Sequence, residues 1–169
     1  MPSDRPIMIV IFGLPGTGKT TIATLLSKQL GIKHFNTDVV RSFLGKTRKY
    51  DEENKSLIYD EILELTRLEF EKGNSVIVDA TFYKKKLRTK FKALARDYNV
   101  TVKWIEICAG EEVVKKRVSK ERPYSEADYK VYRTIKSQFE SMQEEYIQLF
   151  SAQEEMPALI EKAIKFIKQ

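Results

Sequence analysis

The chain has 169 residues, the length of one compact domain with a sizeable core rather than two. Hydrophobic residues make up 42% and charged residues 32%, with only 7 Gly and 5 Pro, which excludes disordered, collagen-like and low-complexity classes. Cys108 is the single cysteine, which excludes an intrachain disulfide, and Lys and Arg outnumber Asp and Glu 30 to 24, a net +6 that favours polyanionic ligands. Met1 to Pro6 lacks the basic and apolar character of a secretory leader, and Ile7 to Phe12 is too short to cross a bilayer. The expectation is a cytoplasmic protein of one domain, residues 1–169, with no membrane partner and a monomer as the default.

Ile7 to Phe12 is a continuous apolar run, the pattern of a strand buried on both faces of a parallel sheet. Ile22, Leu25, Leu26 and Leu30 then recur at helical spacing, with Gly31 placed to cap the end. Lys33 to Asn36 reads as a second strand, followed by a brief helix carrying Val39, Val40 and Phe43 and an exposed loop over Gly45 to Asn54. Leu57, Ile58, Ile62, Leu65 and Leu68 mark a helix up to Gly73, and Ser75 to Asp79 a buried strand. Leu87, Phe91, Leu94 and Ala95 give a helix, Val100 to Ile107 a strand, and Val113, Val114 and Val118 another helix. Ser125 and Asp128 resemble a capping box opening a helix through Met142, Tyr146 to Phe150 reads as a fifth strand, and Leu159 to Ile167 as a closing amphipathic helix. This alternation predicts an α/β fold in three layers, a central parallel sheet of about five strands with helices on both faces. Ligands of such sheets bind beyond the carboxyl ends of the strands, which singles out Gly13 to Thr20, Asp38, Asp79, Ala109-Gly110 and Ser151.

Gly13-Leu14-Pro15-Gly16-Thr17-Gly18-Lys19-Thr20 satisfies the G-x-x-x-x-G-K-[ST] pattern between a predicted strand and a predicted helix, the context that the motif requires. Its backbone N–H groups and the helix N-terminus would cradle phosphate oxygens, Lys19 would reach the β- and γ-phosphates, and the Thr20 hydroxyl would ligate Mg²⁺. The expected nucleotide-contacting residues are Gly13, Pro15, Gly16, Thr17, Gly18, Lys19, Thr20 and Thr21, with ATP and Mg²⁺ as cofactors.

The only Asn-Lys pair, Asn54-Lys55, is followed by Ser56-Leu57 rather than by the pattern of guanine-specific GTPases. Asp79 ends a strand in the manner of a Walker B element, yet Ala80 follows it where many ATPases place a water-activating glutamate. Phosphoryl transfer to a hydroxyl group fits better than hydrolysis. Asp38 and Arg41 stand one helical turn apart; Asp38 can deprotonate an acceptor and Arg41 grip an anionic substituent, or Asp38 can cap the short helix and pair with Arg41. Arg117 and Arg122 lie in a basic stretch between two predicted helices, within an expected helical lid over about residues 115–127. They can fold over the γ-phosphate or form a solvated helix face.

Together, the phosphate loop, Thr37-Asp38-Val39-Val40-Arg41, Ser75-Val76-Ile77-Val78-Asp79-Ala80-Thr81-Phe82 and the segment from Tyr129 to Glu140 resemble the broad AAA-type family of small P-loop kinases. That family includes the kinase domain of polynucleotide 5′-hydroxyl kinase, with gluconate kinase and zeta-toxin-like kinases as neighbours. The resemblance implies a P-loop kinase with Asp38 as general base, Arg41 as a substrate anchor, Asp79 near Mg²⁺, and Arg122 or Arg117 as the lid arginine. It also implies that Thr81 and Arg88 line the acceptor side. Phe82 departs from the Asn usual in polynucleotide kinases, which weakens a nucleic-acid assignment.

The expected activity is ATP-dependent phosphorylation of a hydroxyl on a small metabolite, a nucleotide or a nucleic-acid 5′ end. The alternative is an ATP-binding, nucleic-acid-associated or regulatory module without transfer, motivated by Lys84, Lys85, Lys86, Arg88 and Lys90. His34 has no His or Cys partner for a zinc set, Cys108 reads as a small core residue, and Trp104 as packing beside the fourth strand.

Overall fold

In a computed structural model, residues 5–47, 49–120 and 126–169 are described, with the side chains of 119, 120 and 126–128 left out. Strand β1 (Ile7–Phe12) lies at the middle of a five-stranded sheet because both of its faces are apolar. Met8, Val10 and Phe12 point to one side and Ile9 and Ile11 to the other, and all five are fully buried. Helix α1 (Lys19–Leu30) follows and ends on Gly31 at φ +65°, as its position in the sequence predicts. Then come β2 (Lys33–Asn36), α2 (Thr37–Phe43), α3 (Glu52–Glu71), β3 (Val76–Asp79) and α4 (Lys85–Asp97). The chain continues with β4 (Thr101–Cys108), α5 (Glu111–Lys120), α6 (Glu126–Gln138), β5 (Tyr146–Phe150) and α7 (Met156–Ile167). All strands are parallel, in the order β2-β3-β1-β4-β5.

Each face has its own core. Helices α1 and α7 cover Ile9, Ile11, Ile77, Ile105 and Leu149 with Ile22, Leu26, Leu159 and Phe166. On the other face Val76, Val78 and Trp104 meet Ile58 and Ile62 of α3, Phe91 of α4 and Ile135 of α6. The central strands β1 and β3 are almost wholly buried on both faces, and the polar groups that matter here come from the carboxyl end of the sheet.

Two expectations change, and the exposure of α2 adds a third observation. Helix α3 begins at Glu52, inside the segment expected to be loop, because the Asp51 carboxylate accepts from Asn54 N at 3.0 Å and Glu52 and Glu53 complement the helix N-terminus. Helix α6 stops at Gln138 rather than running through Met142, whose sulfur is instead bonded by Arg88. On α2 only Val40 of the three apolar residues is buried, while Val39 and Phe43 are exposed. The proposed capping pair, Ser125 and Asp128, lies outside the described side chains.

Candidate functional site

The phosphate loop leaves β1 at Gly13, whose φ of +140° turns the chain so close to β4 that a Cβ there would lie 2.5 Å from the Ile107 carbonyl oxygen. At Gly16, φ +77°, a Cβ would meet the Val114 and Val118 methyls of α5 at 3.0 and 3.3 Å. These positions take glycine for both conformation and space. Inside the loop the Thr17 hydroxyl donates to the Leu14 carbonyl at 2.9 Å, and Lys19 Nζ donates to the same oxygen at 2.9 Å. Burial pulls the Lys19 ammonium below the usual lysine range, against the opposing charges of Asp79 and Asp38. A buried ammonium beside a helix N-terminus is an anion site waiting for compensation.

Opposite the lysine, Asp79 at the end of β3 is nearly fully buried. Its Oδ2 accepts from the Thr20 hydroxyl at 2.8 Å and from Asn36 Nδ2 at 2.6 Å, and lies 3.1 Å from His34 Nε2. Burial raises the carboxyl pKa, but the His34 bond, the Lys19 charge and the bonds from Asn36 and Thr20 outweigh it and hold Asp79 below the ordinary value. Asp79 is therefore ionised and can only accept, so the His34 nitrogen facing it carries a proton. Its second oxygen, Oδ1, is buried with no partner.

The set Thr20–Asp79 fits a magnesium ion. One hydroxyl and one carboxylate leave most of the octahedron to water and phosphate oxygens, which is how Mg²⁺ is commonly held. Among the described residues no cluster of three or more His, Cys, Asp or Glu offers an all-protein cage instead. The unpartnered Asp79 Oδ1 is the atom such an ion would satisfy.

Both groups line a cleft of about 1060 Å³ that continues to α2. There Asp38 is 74% exposed and its Oδ1 accepts from Arg41 Nη1 at 2.8 Å. Arg41 is itself buried, packs its guanidinium 4.6 Å from the centre of the Tyr50 ring and leaves Nε without a partner. The pairing of Asp38 with Arg41 is present, but the cap of α2 is Asn36, whose Oδ1 accepts from Asp38 N and Val39 N at 2.8 and 3.1 Å. Among the described residues no hydrogen bond engages the second Asp38 oxygen, and Asp38 lines the cleft with Lys55, Tyr59, Thr81 and Tyr83.

Arg117 of α5 reaches the loop from above, with Nη1 donating to the Thr17 carbonyl at 2.9 Å and to Ser151 Oγ at 3.0 Å. Arg122 lies outside the described residues. Arg88 corrects the sequence expectation: it is buried away from the cleft and donates to the Glu140 and Ser141 carbonyls at 3.0 and 3.2 Å. Its guanidinium holds the chain after α6, so it cannot also line the acceptor side. Thr81 does line the cleft, with its hydroxyl 3.2 Å from Tyr59 OH. Sequence reasoning missed Asn36, His34 and Tyr59; the Asn-Thr-Asp start of α2 signalled a cap, whereas the bonds to Asp79 depend on the β2–β3 register that pairs Asn36 with Asp79.

A family model described as an AAA domain matches residues 8–144. A Sulfurisphaera tokodaii protein named "Putative adenylate kinase" is 35% identical over 80 residues, covering 45% of this chain and 41% of that protein. The uncharacterized protein Rv2004c of Mycobacterium tuberculosis is 28% identical over 123 residues, covering 66% of this chain and 25% of that protein. The match thus takes in about a quarter of the mycobacterial relative's length. In fold, the chain is similar to the APS kinase CysC of Mycobacterium tuberculosis solved with AMPPNP and APS, with a TM-score of 0.76 at 15% identity over 98% of this chain and 99% of that one. Parallel sheet, glycine-rich loop and matched motifs converge, and the chain belongs to the AAA domain family AAA_33, with the fold of a P-loop kinase.

Proposed function

We propose that the chain is a Mg²⁺-dependent phosphotransferase that moves the γ-phosphoryl group of ATP to a hydroxyl of an acceptor bound beside α2. The observation that carries this reading is one continuous cleft with Lys19, Thr20 and Asp79 at one end and Asp38 and Arg41 at the other. The nucleotide-bound APS kinase and the S. tokodaii relative named for adenylate kinase support a nucleotide as donor.

In this reading Lys19 and the loop amides from Gly13 through Thr21 bind the phosphates, and Thr20 and Asp79 hold the metal. The metal, when bound, neutralises phosphate charge that would otherwise repel the attacking oxygen. Asp38 takes the proton of the acceptor hydroxyl on its unpaired oxygen, and Arg41 fixes the carboxylate through its other oxygen while offering its remaining N–H groups to an anionic substituent. Arg117 contributes positive charge over the transferring group and excludes water, a role that the resemblance offers to Arg122 as well. A base beside the acceptor favours an alcohol over a phosphate acceptor, because a phosphate oxygen needs no deprotonation at neutral pH.

The reading of a nucleic-acid-associated module has less support. Of the basic residues that motivate it, Lys90 pairs with Asp60 at 2.8 Å, Lys86 lies 3.9 Å from Glu52, and Arg88 is buried. The test is phosphate gain by mass spectrometry over a panel of metabolites, nucleosides, nucleotides and 5′-hydroxyl oligonucleotides with MgATP. Lys19→Ala is expected to abolish that gain with the fold retained; undiminished phosphorylation in this variant refutes the proposal.

A further inference from the structure

Asn36 stands between the two ends of the cleft, and every polar atom of its side chain is used. The main-chain N–H groups of Asp38 and Val39, 2.8 and 3.1 Å away, can only donate, so the atom facing them is the carbonyl oxygen. The amide NH₂ therefore faces the other way, with one proton for Thr20 Oγ1 at 2.9 Å and one for Asp79 Oδ2 at 2.6 Å. Thr20 receives that proton and lies 2.8 Å from Asp79 Oδ2, which accepts only, so the Thr20 proton must point at Asp79. One arrangement of protons satisfies the triangle. It leaves a single lone pair on the Thr20 hydroxyl and the unpartnered Oδ1 of Asp79 as the free acceptors of the pair.

We propose that Asn36 is a positioning residue for the divalent cation, fixing the Thr20 hydroxyl and the Asp79 carboxylate so that one acceptor site on each is left unused by the protein, while the same side chain caps the helix of Asp38 and Arg41. This rests on the metal-assisted transfer proposed above. A cap needs only an acceptor oxygen, which Ser, Thr or Asp supplies as well as Asn. The two amide protons are surplus to that task. An aspartate would serve the cap but would set a second carboxylate against Asp79 at hydrogen-bonding distance with no proton between them. Asparagine answers both demands, and in doing so ties the base-bearing helix to the metal pair.

Asn36→Ser and Asn36→Thr keep a capping oxygen and remove the NH₂ group. The measurement is Mn²⁺ binding to the ADP complex by electron paramagnetic resonance, with ADP affinity in EDTA and thermal unfolding of the free protein alongside. The expected result is Mn²⁺ affinity about 10–100-fold weaker, as for partners that orient metal ligands from behind. Metal-free ADP affinity should stay within about twofold and the cap should hold the midpoint of unfolding within about 2–4 °C, the shift that about 1 kcal/mol produces. Mn²⁺ affinity equal to that of the parent in a folded variant overturns the proposal. Failure of both variants to fold overturns it too, because the amide protons would then serve the fold rather than the metal. If the parent complex takes up no more Mn²⁺ than ADP alone, the transfer reading itself falls; if the parent binds it and the variants match, only the role of Asn36 falls.

Discussion

Arg117 and Ser151 meet over the phosphate loop: both donate to the Thr17 carbonyl, at 2.9 and 2.6 Å, and Arg117 Nη1 lies 3.0 Å from Ser151 Oγ. A cation of α5 is thereby tethered to the segment that would surround the phosphates, by the residue that follows β5. Arg117→Ala is expected to lower kcat about 10²–10³-fold, the usual loss when one preorganised donor to developing charge is removed. The KM for ATP should change by only a few-fold. Steady-state kinetics decide it, since a raised KM at constant kcat would mean that Arg117 merely supports the loop.

In the proposed reaction Asp38 deprotonates the acceptor: Arg41 engages one of its oxygens, and among the described residues nothing bonds the other. Since Asn36 and not Asp38 caps α2, Asp38→Asn should leave the helix intact. A kcat loss of about 10²–10⁴-fold is expected, the range for removal of a positioned base. Nucleotide affinity measured by calorimetry should be unchanged; equal loss of binding and turnover would make Asp38 part of the nucleotide site instead.

Much of this fold is legible before the chain is folded. Runs such as Ile7 to Phe12 and Val76 to Val78 are apolar on consecutive residues, the pattern of a strand buried on both faces, and the glycine spacing of the loop marks the carboxyl end of β1 as the place to look for a phosphate site. The start of α3 falls inside a segment expected to be loop, although Asp51 followed by Glu52 and Glu53 has the polarity of a helix beginning. What the sequence hides is pairing across the sheet and docking of distant loops. Asn36 meets Asp79 only because β2 lies in register beside β3, and Arg88 is buried only because residues 140–142 fold over α4. Phe82 illustrates the same limit: it stands at φ +47°, a region that asparagine enters more easily than phenylalanine. Edge-on packing of its ring against Phe91, Trp104 and Tyr59 keeps it there.

Lys19 couples nucleotide binding to protons. Its ammonium is held below the ordinary value by burial, so in the free protein it loses its proton at a lower pH than an exposed lysine. Bound phosphates favour the charged form and pull the value back up. As pH rises above neutral, ATP affinity should therefore fall, and binding should take up a proton in the alkaline range where free Lys19 is partly neutral. Calorimetry in buffers of different ionisation enthalpy, at a series of pH values rising from neutral, reads this directly; binding with no buffer dependence anywhere in the series would exclude Lys19 as the titrating group. Lys19→Met should remove the proton uptake together with most of the affinity.

Tyr59 holds the turn that follows β3. Its hydroxyl accepts from the buried Phe82 N–H at 3.0 Å and lies 3.2 Å from the Thr81 hydroxyl, while burial pushes its pKa up to about 12 and keeps it protonated. Tyr59→Phe leaves the ring contacts and strands a main-chain donor, which costs about 1–3 kcal/mol. Urea denaturation should register this as a lower midpoint at constant slope. An unchanged midpoint would mean that the Phe82 N–H finds another partner.

Glu69, near the end of α3, anchors the amino ends of the strands whose carboxyl ends carry Asn36 and Asp79. Its carboxylate accepts from Lys33 Nζ at 2.8 Å, Lys72 Nζ at 3.0 Å and Asn74 Nδ2 at 2.8 Å. The bond from Lys33, then those from Asn74 and Lys72, outweigh burial and lower its pKa from 4.5 to about 2. A carboxyl depressed in the folded state contributes stability that is complete above its unfolded value and is lost as pH falls toward the folded one. Glu69→Gln should therefore be less stable than the parent at pH 7. The gap should narrow below pH 4.5 and close toward pH 2, where the parent's carboxyl is also protonated. Parallel denaturation curves at pH 7, 5, 4 and 3 measure the gap, and a gap that stays constant across that series would mean that Glu69 acts through shape and not through charge.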